Sequence, residues 1–90
     1  MLDFNEYSKI IKECKALSNR KNAIYGVNNL KLFNGLSILV RINDKIARLN
    51  NLCHQTILKS DTETIEDTIK DLINYSIYYL MLKRNKLEKS

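Results

Sequence analysis

Apolar residues recur at spacings of three and four along three long segments of this chain, and this spacing strongly constrains its fold. It places one apolar stripe along a helix, whereas a half-buried strand needs alternation with a period of two. The 90 residues include no Pro and only two Gly, so few positions interrupt a helix. The pattern predicts an all-α protein, a single domain over residues 1–90, with main helices at about residues 3–20, 36–54 and 62–84.

The boundaries of these helices carry weaker signals. Residues 21–34 contain a Gly and an Asn pair and are predicted to form a loop with one short turn. Asn34 or Ser37 is expected to cap the second helix. Ser60, three residues before Glu63, has the spacing of a capping box for the third helix.

The third predicted helix is apolar over more than half of its circumference once Ile77 and Met81 are included. A face this wide usually packs against neighbours on two sides. A bundle of three helices in 90 residues is also marginally stable by itself. We therefore expect a homo-oligomer, a dimer or higher, in which a second copy completes a four-helix arrangement.

The net charge of +5 permits an acidic or phosphorylated partner. The densest basic cluster, Lys83-Arg84-Asn85-Lys86, closes the third predicted helix, where cations complement the helix dipole. Nucleic-acid binding is therefore only a minor hypothesis, and a nucleotide or a protein is the preferred partner.

Cys14 and Cys53 belong to no Cys-x-x-Cys or Cys/His cluster and are predicted to be reduced core thiols. The N-terminus has no secretory pattern, and no apolar run reaches the length of about 20 residues that crosses a bilayer. These features predict a cytoplasmic protein with no membrane contact.

Polar side chains form one line along the third predicted helix: Glu63, Asp67, Asp71 and Asn74. Their oxygens are hard ligands of the kind that Mg²⁺ prefers. The line lies opposite the apolar centre of the same helix, so in a monomer it is expected to face solvent. Two interpretations stay open: a solvated face, or a metal or ligand site that another helix or subunit closes.

A second polar cluster lies on one face of the second predicted helix and consists of Arg41, Asp44, Lys45 and Arg48. Three cations around one carboxylate suit phosphate groups, with Arg offering a fork of donors. The alternative is an ion network that includes salt bridges to the third helix. Tyr25, which is followed by a Gly, is a candidate for stacking on a base.

Three blocks of the chain resemble a phage-enriched family, the nucleotide-modification-associated domain of the first type. They are Tyr25-Gly26, then the Arg-x-x-Asp-Lys-x-x-Arg pattern of residues 41–48, then Glu-Asp-Thr-x-x-Asp-Leu-x-Asn-Tyr at residues 66–75. That family is distantly similar to the MazG-like all-α nucleoside triphosphate pyrophosphohydrolases. Those proteins are helical oligomers whose acidic helices hold Mg²⁺ for cleavage between the α and β phosphates.

The resemblance implies a role for each matching residue. It makes Asp67 and Asp71 metal ligands, with Asp44 as a third, and it implies phosphate contacts from Arg41, Lys45 and Arg48. Tyr25 and Asn74 complete the candidate nucleotide-binding set. The Glu-Glu-x-x-Glu block of the pyrophosphohydrolases is missing, because the second helix offers only Asp44.

The sequence thus favours a small phage or prophage protein that binds a nucleotide phosphate, with Mg²⁺-dependent pyrophosphate chemistry as its catalytic version. The alternative is a non-catalytic binding module, such as a phage counter-defence inhibitor or a protein that sequesters a ligand. Whether the chain is an enzyme stays open at this point.

Overall fold

The computed structural model describes residues 1–54 and 59–88, and the side chains of Tyr25 and of residues 59–64 lie outside that description. Within it the chain forms three α-helices, α1 (Phe4–Tyr25), α2 (Leu36–Cys53) and α3 (Lys59–Lys83), with a 3₁₀ segment, Asn28–Gly35, between the first two. No strand occurs in the described part, so the predicted all-α fold is confirmed. None of the described helices combines the length and apolar character needed to span a bilayer.

α1 is longer than its sequence pattern predicted. It continues to Tyr25 and ends only at Gly26, whose φ is 72° and whose N–H donates to the carbonyl of Asn22 at 2.9 Å. The helix continues because no residue between Lys21 and Gly26 breaks it, and glycine readily takes the positive φ that stops a helix. The capping box predicted at residues 60 and 63 lies outside the described side chains.

α2 begins at Leu36, as predicted, but its capping residue differs from the prediction. Phe33, Asn34 and Gly35 all have positive φ, of 54°, 54° and 91°, so the chain turns sharply before the helix and neither Asn34 nor Ser37 caps it. The hydroxyl of Ser37 donates to a carbonyl of the 3₁₀ segment. The φ of 91° at Gly35 favours glycine, and a Cβ there would lie 2.7 Å from the Cδ2 of Leu82, so that side chain would have to move.

The contact between α2 and α3 is apolar. Ile38 of α2 is fully buried and packs with Leu30 of the 3₁₀ segment and Tyr78 of α3. Partly buried apolar side chains surround this cluster: Val27, Ile42, Tyr75, Tyr79, Met81, Leu82 and Leu87. The core therefore lies between α2, α3 and the segment that joins α2 to α1.

The contact between α1 and α3 is largely polar. The amide of Asn74 donates to the backbone carbonyl of Cys14 at 3.0 Å, and the hydroxyls of Ser18 and Tyr78 form a hydrogen bond. Within the described part of the chain α1 packs on α3 and not on α2. α1 is thus held by hydrogen bonds and ion pairs around one buried side chain, Cys14.

This arrangement corrects, for Asp71 and Asn74, the prediction that the polar line of α3 faces solvent in a single chain, whereas Asp67 is exposed as predicted. Asn74 and Tyr78 are buried, and the side chain of Asp71 is only 13% exposed, because α1 covers this face. Ile69 and Leu80, on the apolar side of the helix, are exposed. The polar side chains turn inward because their partners on α1 satisfy them there.

The first half of α1 is exposed, and the ion pair of Glu13 with Lys70, at 3.4 Å, joins its last turn to α3. Every residue from Met1 to Glu13 is exposed, including Phe4, Tyr7 and Ile11, whose spacing of three and four predicted an apolar stripe on the first helix. The radius of gyration is 14.5 Å, compared with about 12 Å for a compact domain of this length. The chain is therefore an α2–α3 core crossed by a helix whose N-terminal half projects from it.

Candidate functional site

A cavity of about 310 Å³ opens where α1 and the 3₁₀ segment meet α2 and α3, and we call it the polar cavity. Each of these four elements contributes to its wall. The lining residues are Lys21, Asn22, Gly26, Asn29, Leu30, Arg41, Asp71, Asn74, Tyr75 and Tyr78. The cavity thus brings together Arg41, Asp71 and Asn74, three of the residues that the sequence pattern selected.

Asp71 lies between two lysines at this site. Its Oδ1 is 2.6 Å from the Nζ of Lys21 on α1, and its Oδ2 is 3.3 Å from the Nζ of Lys45 on α2. The salt bridge from α2 to α3, one of the two interpretations of the basic cluster, is therefore formed by Lys45. Because each carboxylate oxygen faces an ammonium group, Asp71 serves as a counter-ion that joins three helices.

Aromatic rings form another part of the wall. The guanidinium carbon of Arg41 lies 5.9 Å from the centroid of the Tyr75 ring, within the range of a cation–π contact. Tyr75 in turn meets Tyr78 edge to face, with centroids 5.9 Å apart and planes at 86°. These contacts hold a cationic group and an aromatic surface side by side at the cavity.

Asn74 contributes its amide to the structure of the site. It is buried, and its Nδ2 donates to the carbonyl of Cys14, a bond that ties α3 to α1. Next to it, the amide of Asn22 donates to the hydroxyl of Ser18 at 3.2 Å. A nucleotide contact by Asn74 stays a prediction, and the contact observed is with the backbone of α1.

The structure does not bring the other candidate residues to this cavity. Asp44, Asp67 and Arg48 are exposed, and none of the three lines it. The side chain of Tyr25 lies outside the described part, so its predicted stacking on a base stays a prediction.

The three carboxylates predicted to hold Mg²⁺ do not form a shared site in the described structure. Within residues 1–54 and 59–88, no three acidic, His or Cys side chains are grouped so that they could hold a metal ion. Asp71 bonds to two lysines, and Asp44 and Asp67 are exposed. This arrangement does not fit a magnesium ion held jointly by these residues, and the Mg²⁺ prediction rests on the resemblance.

Several side chains that line the cavity were not predicted from the sequence. Lys21 and Asn22 fall in the segment predicted to be a loop, although the spacing from Cys14 through Ser18 continues to them as one helical face. Tyr75 stands in the third block of the resemblance but was not assigned a role. A helix prediction extended to Gly26 would have placed Lys21 on the face of α1 that meets α3.

No protein-family model, curated protein or solved structure matches this chain. The class of protein is thus defined by its fold and cavity: an all-α chain in which one carboxylate, Asp71, pairs with two lysines beside a cavity that Arg41 also lines. The nucleotide-modification-associated family remains a resemblance in three blocks of residues.

Proposed function

We propose that this chain is a non-catalytic module that binds a nucleotide in the polar cavity. The observation that carries the proposal is the charge balance at this site. The largely buried carboxylate of Asp71 is paired with Lys21 and Lys45, and Arg41 adds a further cation to the wall of the cavity. An anion entering the cavity would neutralise cations that the protein itself leaves unbalanced.

The phosphate of the nucleotide is assigned to Lys21 and Arg41. Both line the cavity, and they approach it from α1 and α2, so their donors converge from two sides. Arg offers forked donors to a phosphate and Lys a point charge. The volume of about 310 Å³ falls at the lower end of the range typical of pockets for small ligands.

The base is assigned to the ring of Tyr75. This ring lines the cavity beside Arg41, and a tyrosine can stack on a base with little discrimination among bases. A phosphate at Arg41 and a base at Tyr75 would then occupy adjacent parts of one cavity. The proposal therefore covers nucleotides as a class.

The bonding of Asp71 favours the non-catalytic version over magnesium-dependent pyrophosphate cleavage. Hydrolysis on a metal needs carboxylate ligands free to coordinate the ion. A module that holds a nucleotide without cleaving it suits a ligand-sequestering or counter-defence protein of a phage or prophage. We place it in the bacterial cytoplasm and infer that it acts as a homo-oligomer.

Calorimetric titration tests the proposal with adenosine, inorganic phosphate and a panel of nucleoside triphosphates, each with and without magnesium. Losing one hydrogen bond to a charged group costs about 1.5–3 kcal/mol. Arg41→Gln should therefore weaken nucleotide binding about tenfold to a hundredfold. Arg84→Gln is the matched control, since Arg84 is exposed and does not line the cavity.

Three results would contradict the proposal. If Arg41→Gln and Arg84→Gln weakened nucleotide binding equally, the ligand would not bind in the polar cavity. If inorganic phosphate bound as tightly as a nucleotide, the base would contribute nothing to binding, and its assignment to the Tyr75 ring would be wrong. Release of pyrophosphate that requires magnesium and disappears in Asp71→Asn would show that the site is catalytic.

A further inference from the structure

The N-terminal arm, which we define as residues 1–13 of the chain, is helical from Phe4 onward, and its apolar side is exposed. Its first turn is capped by Asp3, whose carboxylate accepts from two backbone N–H groups. Phe4, Tyr7 and Ile11 follow one another on one line of the helix and are 62%, 59% and 40% exposed. Three large apolar side chains in a row on a well-capped helix are typical of a surface that packs against a partner.

This line leads directly into a second cavity of about 360 Å³, which we call the apolar cavity. Ile11 and Cys14 form its α1 side, and Ile77, Met81 and Leu87 form the opposite side. Most of its wall is apolar carbon, so it suits aliphatic or aromatic side chains. The arm and the apolar cavity thus form one continuous apolar surface.

We propose that the occupant of the apolar cavity is the N-terminal arm of a second copy of this chain. The two α1 helices would lie antiparallel, and each copy would place Phe4 and Tyr7 against the other copy's apolar cavity. The arm cannot fold back onto its own cavity, because α1 is one uninterrupted helix from Phe4 to Tyr25. The contact is reciprocal, as a two-fold symmetric dimer requires.

The charges along α1 select a second copy and the antiparallel orientation. The first eight side chains include Asp3 and Glu6 and no cation, whereas residues 14–25 include Lys15, Arg20 and Lys21 and no carboxylate. Antiparallel pairing sets the acidic end of each helix beside the basic end of the other. A parallel pairing would set like charges together, at a cost in free energy.

The arm of the second copy would also complete the wall of the polar cavity. The two cavities share four lining residues, Asn22, Leu30, Asn74 and Tyr78. An arm in the apolar cavity would therefore contact residues that also line the polar cavity. This inference rests on the self-association proposed above, but it does not depend on which ligand the site binds. Ligand and second copy would then affect each other's binding reciprocally.

A charge-exchange experiment tests the inference by sedimentation velocity. The sedimentation coefficient of the unaltered chain should correspond to a dimer, with twice the 10.5 kDa mass of one copy. Asp3→Lys and Lys15→Glu should each lose the dimer, because each variant sets like charges together in both halves of the contact. Mixing the two variants should restore a mixed dimer, in which both halves are complementary again.

Lys9→Glu is the matched control, since Lys9 is exposed and lies on the arm away from the line of Phe4 and Ile11. It should leave the dimer unchanged. A monomeric unaltered chain, variants that stay dimeric, or a mixture that stays monomeric while each variant remains helical would overturn the inference. A monomer that still binds nucleotide would refute this inference alone, and a dimer that binds none would refute the proposed function alone.

Discussion

α3 packs against one helix on each side, and the two contacts are built from different chemistry. Toward α2 it buries apolar side chains around Ile38. Toward α1 it offers Asp71, Asn74 and the hydroxyl of Tyr78, each bonded to a polar group of α1. Burying one large apolar side chain contributes about 1.5–3 kcal/mol, whereas a typical hydrogen bond contributes a net 0.5–1.5 kcal/mol, on the order of half as much.

The difference indicates a division of roles between the two contacts. The apolar contact stabilises the fold, and the polar contact sets the position of α1, which carries Lys21 to the cavity. Tyr78 takes part in both, since its ring belongs to the apolar cluster and its hydroxyl bonds to Ser18. Variants that affect one contact and spare the other can therefore test this division.

The largest effect is expected from Ile38→Ala, which creates a cavity in the apolar contact. Ile38 is fully buried, and such a truncation typically costs about 2–5 kcal/mol. Chemical denaturation followed by circular dichroism should show this loss as a lower midpoint. Ile46→Ala, on the same helix but at a side chain that is 46% exposed, is the control and should cost much less. Equal losses in the two variants would show that the core lies elsewhere.

The helices that form the apolar contact were predictable from the sequence, because apolar residues recur at helical spacing in both and no Pro interrupts them. The buried face of α2 was not predictable in this way, since the spacing joins Leu39, Ile42 and Ile46 in one stripe, whereas Leu39 and Ile46 are exposed and Ile38 is fully buried. The turn at Phe33, Asn34 and Gly35 was not predictable either, because Phe33 and Asn34 both have positive φ, which non-glycine residues rarely adopt.

The polar contact shows where a periodicity argument fails. Asp71 and Asn74 lie opposite the apolar centre of α3, so spacing alone assigns them to solvent. Their burial depends on partners in α1, namely Lys21 and the carbonyl of Cys14, and a backbone carbonyl leaves no trace in a sequence. The role of the basic cluster on α2 was predictable only in part for the same reason. Lys45 forms the expected salt bridge with Asp71 of α3, whereas Arg48 remains exposed.

A smaller effect is expected from Tyr78→Phe, which removes one hydroxyl from the polar contact and keeps the ring in the apolar one. The expected loss is about 1 kcal/mol, the net value of a typical hydrogen bond. Hydrogen exchange should quicken in the second half of α1, while the amides around Ile38 keep their protection until the chain unfolds globally. Tyr79→Phe is the control, because the Tyr79 hydroxyl has no hydrogen-bond partner in the described structure. Exchange that quickens equally in all three helices would mean that the two contacts are not separable.

The last effect depends on pH and concerns the thiol of Cys14, the buried side chain at the centre of the polar contact. Burial raises the pKa of this thiol, the nearby carboxylate of Glu13 adds to the rise, and the ammonium of Lys70 opposes it. The unfolded chain therefore ionises first as the pH rises, so the stability is fully present below about pH 8.5 and falls above it. The loss is at most about 1.4 kcal/mol per pH unit.

Denaturation curves between neutral pH and pH 10 measure this loss. In Cys14→Ala the free energy of unfolding should decrease less with rising pH, because no thiol is left to ionise at that position. This holds whatever the effect of the substitution on stability at neutral pH. Cys53→Ala is the matched control, since Cys53 is exposed rather than in the core as the sequence suggested. If Cys53→Ala flattened the curve as much as Cys14→Ala, water would reach the two thiols equally. The α1–α3 contact would then not exclude solvent, and the contrast between the two sides of α3 would lose its physical basis.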